Sequence, residues 1–199
     1  MVTNIMIVGV GGQGTLLASR IIGNVALTAG YDVKVSEVNG MAQRGGSVVT
    51  YVKFSKDEKV ASPVICKGEA DYLISFEQLE SARWLEYVRD GGLLISSTQK
   101  VLPMPVITGA AEYPDGILDT VKELGVKCVA CDAPAIAEQL GNIKASNVVL
   151  IGLFAKCCEG ILDFTKEEFV EAVKACVPAK FAELNLAAFE AGYEADSGK

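Results

Sequence analysis

Ile5-Met6-Ile7-Val8-Gly9-Val10-Gly11-Gly12-Gln13-Gly14-Thr15-Leu16-Leu17-Ala18-Ser19-Arg20-Ile21-Ile22 decides how the N-terminal half of the chain folds. Its first four residues are a short apolar, largely β-branched run, the mark of a buried strand. After the glycines, Leu17, Ile21, Ile22 and then Val25 recur at helical spacing. A strand therefore turns sharply into a helix through Gly9, Gly11, Gly12 and Gly14. Glycine permits positive φ in such a turn, and bare backbone N–H groups at a helix N-terminus can receive an anion or another chain packed very close.

Working outward, the helix over about Gly14–Ala29 stops at Gly30, and residues 31–37 alternate as a second strand. A helix between two strands makes a right-handed βαβ unit with both strands parallel. Their carboxyl ends then open on one edge of the sheet, where the glycine turn and the next loop share a crevice. That loop, Val38-Asn39-Gly40-Met41-Ala42-Gln43-Arg44-Gly45-Gly46, precedes the β-branched and aromatic run Ser47–Phe54. It is too short for the crossover of about a dozen residues that a parallel neighbour requires. The third strand is therefore expected to run antiparallel.

Further strands are expected at Ala70–Ser75, Leu93–Ser96 and Val126–Ala130. The helix expected over about Glu77–Arg89 stops at Asp90-Gly91-Gly92, and another over Ile117–Leu124 stops at Gly125. Pro134 suits the first turn of a helix that ends near Leu140-Gly141. The last third reads as helical. Ala145–Cys158 is apolar nearly all round, Thr165-x-x-Glu168 is a capping box, and a final helix over about Ala179–Ala191 stops at Gly192. Residues from about 194 read as a frayed tail. The expected fold is a three-layer αβα arrangement on a mixed, mostly parallel sheet, with a Rossmann-like start. The expected organisation is a single domain over residues 1–199.

Composition narrows the chemistry. A net charge of −7 without a Lys/Arg cluster argues against a nucleic-acid surface or an anionic membrane. No apolar run approaches the ~18 residues of a membrane span. The N-terminus enters a strand at once, without a basic segment and cleavage site, so a cytoplasmic protein is expected. The chain has no histidine, which removes histidine-based nucleophile systems and His-ligated metals. Its six cysteines lie mostly in apolar runs and read as reduced core thiols. Cys128-x-x-Cys131 begins inside an expected strand, whereas a redox pair usually opens a helix.

Gly9, Gly11 and Gly14 fit the dinucleotide-binding spacing, and Glu37 ends the second strand where a ribose-binding carboxylate would stand. The extra Gly12, the polar Gln13 and the antiparallel return speak against that reading. Tight strand–helix packing is a further explanation for the glycines. Arg44, followed by Gly45-Gly46, suits contact with a phosphate, a carboxylate or a partner's backbone, or else is a solvated loop arginine. Arg20 reads as exposed or ion-paired. The pairs Glu77/Glu80 and Glu167/Glu168 read as solvated helix faces.

Together, Gly9-Val-Gly-Gly-Gln-Gly14 and Glu37-Val-Asn-Gly-Met-Ala-Gln-Arg-Gly-Gly-Ser47 closely resemble the small, gamma-type subunit or domain of the ferredoxin-dependent 2-oxoacid oxidoreductases. Asn147-Val-Val-Leu-Ile-Gly-Leu153 resembles that family's late helix. For a free-standing subunit of this length, the resemblance implies oxidative decarboxylation of an aryl pyruvate such as indolepyruvate. The reaction it suggests uses coenzyme A as co-substrate and gives an arylacetyl-CoA, carbon dioxide and reduced ferredoxin. It implies thiamine diphosphate and four-iron four-sulfur clusters on a larger alpha subunit, no cofactor on this chain and no activity alone. Because both loops open on one sheet edge, Gly9, Gly11, Gly12, Gln13, Gly14, Asn39, Gln43, Arg44, Gly45 and Gly46 are expected to face the partner, its substrate or coenzyme A, with Gly11, Gly12 and Gln13 offering backbone and amide donors and Arg44 a positive charge. Three alternatives stand beside it: a gamma subunit acting on pyruvate, 2-oxoglutarate or 2-oxoisovalerate; a free-standing dinucleotide-binding module; and an assembly scaffold without a part in the kinetics.

Overall fold

The computed structural model of the chain describes residues 1–40 and 45–195. Gln43, Arg44 and residues 196–199 of the expected tail lie outside the described residues. Among the described residues, no helix is long and apolar enough to cross a membrane.

Strand β1 (Thr3–Val10) leads through the glycine turn into helix α1 (Thr15–Thr28), and β2 (Asp32–Asn39) follows. Strand β3 (Ser47–Ser55) returns antiparallel and inserts between the first two, pairing with β2 on one side and β1 on the other. β1 and β2 thus point the same way but do not touch. Strands β4 (Ala70–Ser75), β5 (Val88–Ser97) and β6 (Lys127–Cys131) continue parallel beyond β1. The six-stranded order is β2-β3-β1-β4-β5-β6, a mixed and mostly parallel sheet.

Helices cover both faces, which is why β1 is apolar at successive positions rather than alternate ones. Ile5 and Ile7 point to one face, where α1, α6 (Ser146–Cys158), α7 (Lys166–Cys176) and α8 (Ala182–Tyr193) pack. Met6 and Val8 point to the other, against Ile65, Trp84, Leu85 and Val121. Val121 belongs to α4 (Ile117–Glu123); the single turn α3 (Met104–Ile107) precedes it, and α5 (Ala133–Gln139) follows β6. A fully buried Ile or Val contributes about 1.5–3 kcal/mol. The Thr165–Glu168 capping box opens α7 as expected.

Two elements differ from the sequence reading. The helix expected over Glu77–Arg89 is shorter: α2 spans Gln78–Arg83, a single 3-10 turn covers Leu85–Tyr87, and the chain enters β5 at Val88. Trp84, Leu85 and Tyr87 pack on the second sheet face, and that tertiary contact overrides the helical spacing. Asp90-Gly91-Gly92 is therefore an irregularity inside β5, where the register against β4 shifts between Ala70 and Tyr72.

The second difference is at Gly192, which does not stop the last helix but lies inside it. A Cβ there would sit 1.9 Å from the carbonyl oxygen of Val149, and one at Gly152 would sit 2.0 Å from that of Phe189. The two glycines let α6 and α8 meet backbone to backbone.

Candidate functional site

The carboxyl edge of the sheet gathers the glycine turn after β1, the end of β2, Gly45-Gly46 ahead of β3, and the ends of β4 and β5. The β1–β3 ladder ends at Val10 opposite Ser47. Two further bonds extend it: Gly11 N donates to Gly46 O at 2.8 Å, and Gly45 N to Gly11 O at 3.4 Å. The two glycine-lined segments are therefore one continuous piece of backbone structure. Asn39 ends β2 opposite Val48, on the same edge.

Gln13 is turned inward. Its Oε1 accepts from Val10 N at 2.6 Å, while Nε2 donates to Phe76 O at 3.1 Å and to Gln99 Oε1 at 2.8 Å. Gly9 makes room for it, since a Cβ there would lie 2.8 Å from Gln13 Oε1. Gly14 caps α1 with φ +86°, and a Cβ would meet Asn147 Nδ2 at 2.2 Å. That amide nitrogen donates to Gly14 O at 3.4 Å, so α6 braces the turn from behind. Gly12 is exposed, with no atom within 4 Å of where its Cβ would be. Of the turn, Gly12 is what faces outward. The Gly11 N–H and the Gln13 amide are already bonded within the protein.

This arrangement is unlike a dinucleotide site. Glu37 is exposed on edge strand β2, and β3 separates it from β1 by two strand spacings, roughly 10 Å. The carboxylate is not beside the glycine turn, where a ribose would need it.

Sequence reasoning missed the other half of the rim. Glu77 and Glu80, read as solvated, are 1% and 4% exposed. Glu77 caps α2 by accepting from Glu80 N at 2.9 Å; it also accepts from Val101 N at 3.1 Å and from the Tyr113 hydroxyl. Burial, and then the bond to the Glu77 carboxylate, push the Tyr113 phenol well above its ordinary range. Glu80 accepts from Ser47 Oγ at 2.5 Å, Trp84 Nε1 at 3.1 Å and Arg83 Nε at 3.1 Å. The signal available in the sequence was a carboxylate four residues before a tryptophan, whose indole N–H needs an acceptor when buried. Glu167 and Glu168 are exposed, as expected.

Between α2, the Gly45–Ser47 segment and residues 101–107 lies a cleft of about 470 Å³. Leu102, Met104 and Ile107 stand exposed along it. A wider groove of about 670 Å³ runs between α1, β2 and α7, past Arg20, which is exposed. Ser19, Arg20 and Asn24 line it beside apolar residues, but neither glycine segment reaches it, so the cleft at the rim, which Gly45 and Gly46 line, is the better candidate.

Both residues of Cys128-x-x-Cys131 lie in β6. Burial raises every one of Cys128, Cys131, Cys157, Cys158 and Cys176, with Cys131 pushed up to about 12 and Cys157 to about 11. Such thiols are poor ligands and nucleophiles. Among the described residues, no group of three or more His, Cys, Asp or Glu side chains is placed to hold a metal.

A family model described as pyruvate ferredoxin/flavodoxin oxidoreductase matches residues 4–195. Indolepyruvate oxidoreductase subunit IorB of Thermococcus kodakarensis is 41% identical over 197 residues, covering 96% of this chain and 95% of the relative. The subunit of that name from Pyrococcus horikoshii is 39% identical with the same coverage. The 2-oxoglutarate synthase subunit KorC of Methanothermobacter thermautotrophicus is 31% identical, covering 96% of this chain and 93% of the relative. Among solved structures, the gamma subunit of a keto/oxoacid ferredoxin oxidoreductase from Geobacter sulfurreducens superposes with a TM-score of 0.70 at 25% identity, covering 96% of both chains. The mixed sheet, the joined glycine segments and these likenesses along nearly the whole length agree: the chain belongs to the pyruvate ferredoxin/flavodoxin oxidoreductase family.

Proposed function

We propose that the chain is the small subunit of an indolepyruvate ferredoxin oxidoreductase. The enzyme oxidatively decarboxylates an aryl pyruvate with coenzyme A, yielding an arylacetyl-CoA, carbon dioxide and reduced ferredoxin. The observation that carries this reading is the 39–41% identity, end to end, to subunits named for indolepyruvate. Identity to KorC falls to 31% and to ketoisovalerate subunit VorA to 26–27%, so the aryl substrate is favoured over 2-oxoglutarate or 2-oxoisovalerate.

Thiamine diphosphate and four-iron four-sulfur clusters belong, in this proposal, to a larger alpha subunit, where they supply the carbanion and electron chemistry. This chain has no activity alone and meets ferredoxin only through the complex. Its part is to close and orient the site. The segments 9–14 and 39–46 face the partner. Gly12 offers exposed backbone, and Arg44, next to Gly45 in sequence, supplies a positive charge for a carboxylate or a coenzyme A phosphate. The bonding of Gly11 to Gly45 and Gly46 supports treating both segments as one surface.

Arg44→Ala in the assembled enzyme tests the role of this surface. The expected result is a KM for coenzyme A or the 2-oxoacid raised about tenfold or more, from loss of a charge-assisted contact. Unchanged kinetics in an intact complex would remove Arg44 from the site. Identity of the enzyme is tested separately, by recovering the chain from its native extract. A larger companion carrying thiamine diphosphate and iron is expected, and a companion lacking both would overturn the proposal.

A further inference from the structure

We infer that Glu80 is a positioning residue for the rim, holding Gly45-Gly46, the end of the β2–β3 connection, in place through Ser47. The inference rests on the proposal that this connection faces the reacting partner.

Ser47 is the first residue of β3 and follows Gly45-Gly46 directly. It also stands opposite Val10 in the ladder, at the point where both glycine segments leave the sheet. Its hydroxyl donates to Glu80 Oε2 at 2.5 Å, and Trp84 Nε1 approaches both that hydroxyl, at 3.3 Å, and Glu80 Oε2, at 3.1 Å. The other carboxylate oxygen accepts from Arg83 Nε. Glu80 is thus the centre of a small network with one arm on Ser47 and the others on Arg83 of α2 and on Trp84 just beyond it.

The base of that network is itself fixed. Glu77, which caps α2 three residues earlier, is tied to Val101 and Tyr113. A carboxyl side chain that is 4% exposed is costly to bury, and a packed apolar residue would serve the fold as well or better. What an apolar residue would not do is accept a bond from Ser47. The network also borders the cleft, whose lining includes Gly45, Gly46, Ser47, Glu80 and Arg83. A group entering that cleft meets Gly45-Gly46, whose position Glu80 sets through Ser47.

The test uses the assembled complex carrying Ser47→Ala, Glu80→Leu or Glu80→Gln. Loss of positioning is expected to raise KM for coenzyme A or the 2-oxoacid about tenfold in the first two, with kcat within about twofold. Glu80→Gln keeps an acceptor for Ser47 and Trp84 and is expected to restore KM to near the unsubstituted value. A purely structural role would lower thermal stability and yield of complex while leaving KM unchanged in what assembles, and that result overturns the inference. So does a Gln variant as impaired as the Leu variant, since the network would then act through charge rather than through the bond to Ser47. Should Glu80→Leu fail to fold, Ser47→Ala carries the test. If Arg44→Ala raises KM while Ser47→Ala and Glu80→Leu do not, this inference alone fails. If all three are silent, the underlying assignment of the rim fails with it.

Discussion

The carboxamide of Gln13 donates to the carboxamide of Gln99 at 2.8 Å, tying the turn after β1 to the segment after β5. The same side chain bonds Val10 N and Phe76 O, so one residue links three strand ends across the carboxyl edge. Gln13→Ala leaves a backbone N–H and a backbone carbonyl without their partner, at a cost of about 1–3 kcal/mol. A melting temperature several degrees lower is expected by calorimetry, with the same secondary structure by circular dichroism. Gln13→Glu should cost more, because a carboxylate would face Phe76 O and Gln99 Oε1.

Because that carboxamide fills the turn, the isolated chain is expected to show no thermal stabilisation by NAD, NADP or FAD. A thermal shift that saturates with any of them would revive the dinucleotide reading.

The contact between α6 and α8 makes a prediction opposite to helix propensity. An exposed helical glycine changed to alanine usually gains up to about 1 kcal/mol. Gly152→Ala and Gly192→Ala instead press a methyl group onto a carbonyl oxygen about 2 Å away, with backbone on both sides. Each should lose about 3 kcal/mol or more in urea denaturation, as the helices are forced apart. A neutral result at either position would show that the helices separate freely.

Tyr113 gives a pH dependence of definite sign. Its phenol is held above the unfolded value of about 10, so the fold favours the protonated form. That contribution is complete below pH ~10 and is lost as pH rises from there toward the folded value. Tyr113→Phe should therefore be less stable than the parent at pH 8 by the bond to Glu77. Above pH ~10 the gap should narrow, since ionisation of Tyr113 in the unfolded chain then stabilises the unfolded parent, whereas the variant has no phenol to ionise. Parallel urea titrations at the two pH values read this directly.

The cysteines predict a labelling order. Cys66 is exposed, whereas Cys131 and Cys158 are buried with thiols raised by that burial. Iodoacetamide at pH 8 should modify Cys66 first in the native protein, and Cys131 and Cys158 only on unfolding. Rapid native labelling at Cys131, seen by mass spectrometry, would contradict the buried-thiol assignment.

What could be read from the sequence was what local chemistry decides. Glycine chemistry and apolar spacing located β1 and α1, and the short span from Val38 to Gly46 required an antiparallel return. Where β3 would insert was not legible, because strand partners are chosen by long-range burial. The early end of α2 depended on Trp84 and Tyr87 meeting the sheet, and Gly192 depended on Val149 in a different helix. Glu77 and Glu80 looked solvated because the groups that satisfy them, Val101, Tyr113 and Ser47, lie 24 to 36 residues away. Of the anticipated site residues, the glycines do come together. Gln13 joins them but spends its amide internally. For Gln43 and Arg44, chemistry and position in sequence are the whole argument.

The insertion of β3 between β1 and β2 turns a would-be crossover into a hairpin whose returning end, Gly45-Gly46, is bonded to the glycine turn. Hairpin tips tolerate changes of length and composition that a helix packed on a sheet does not. Descendants of this architecture can therefore exchange what they show a neighbour by rewriting a handful of residues between Asn39 and Ser47. The ladder on either side, and the helices behind it, are left as they were.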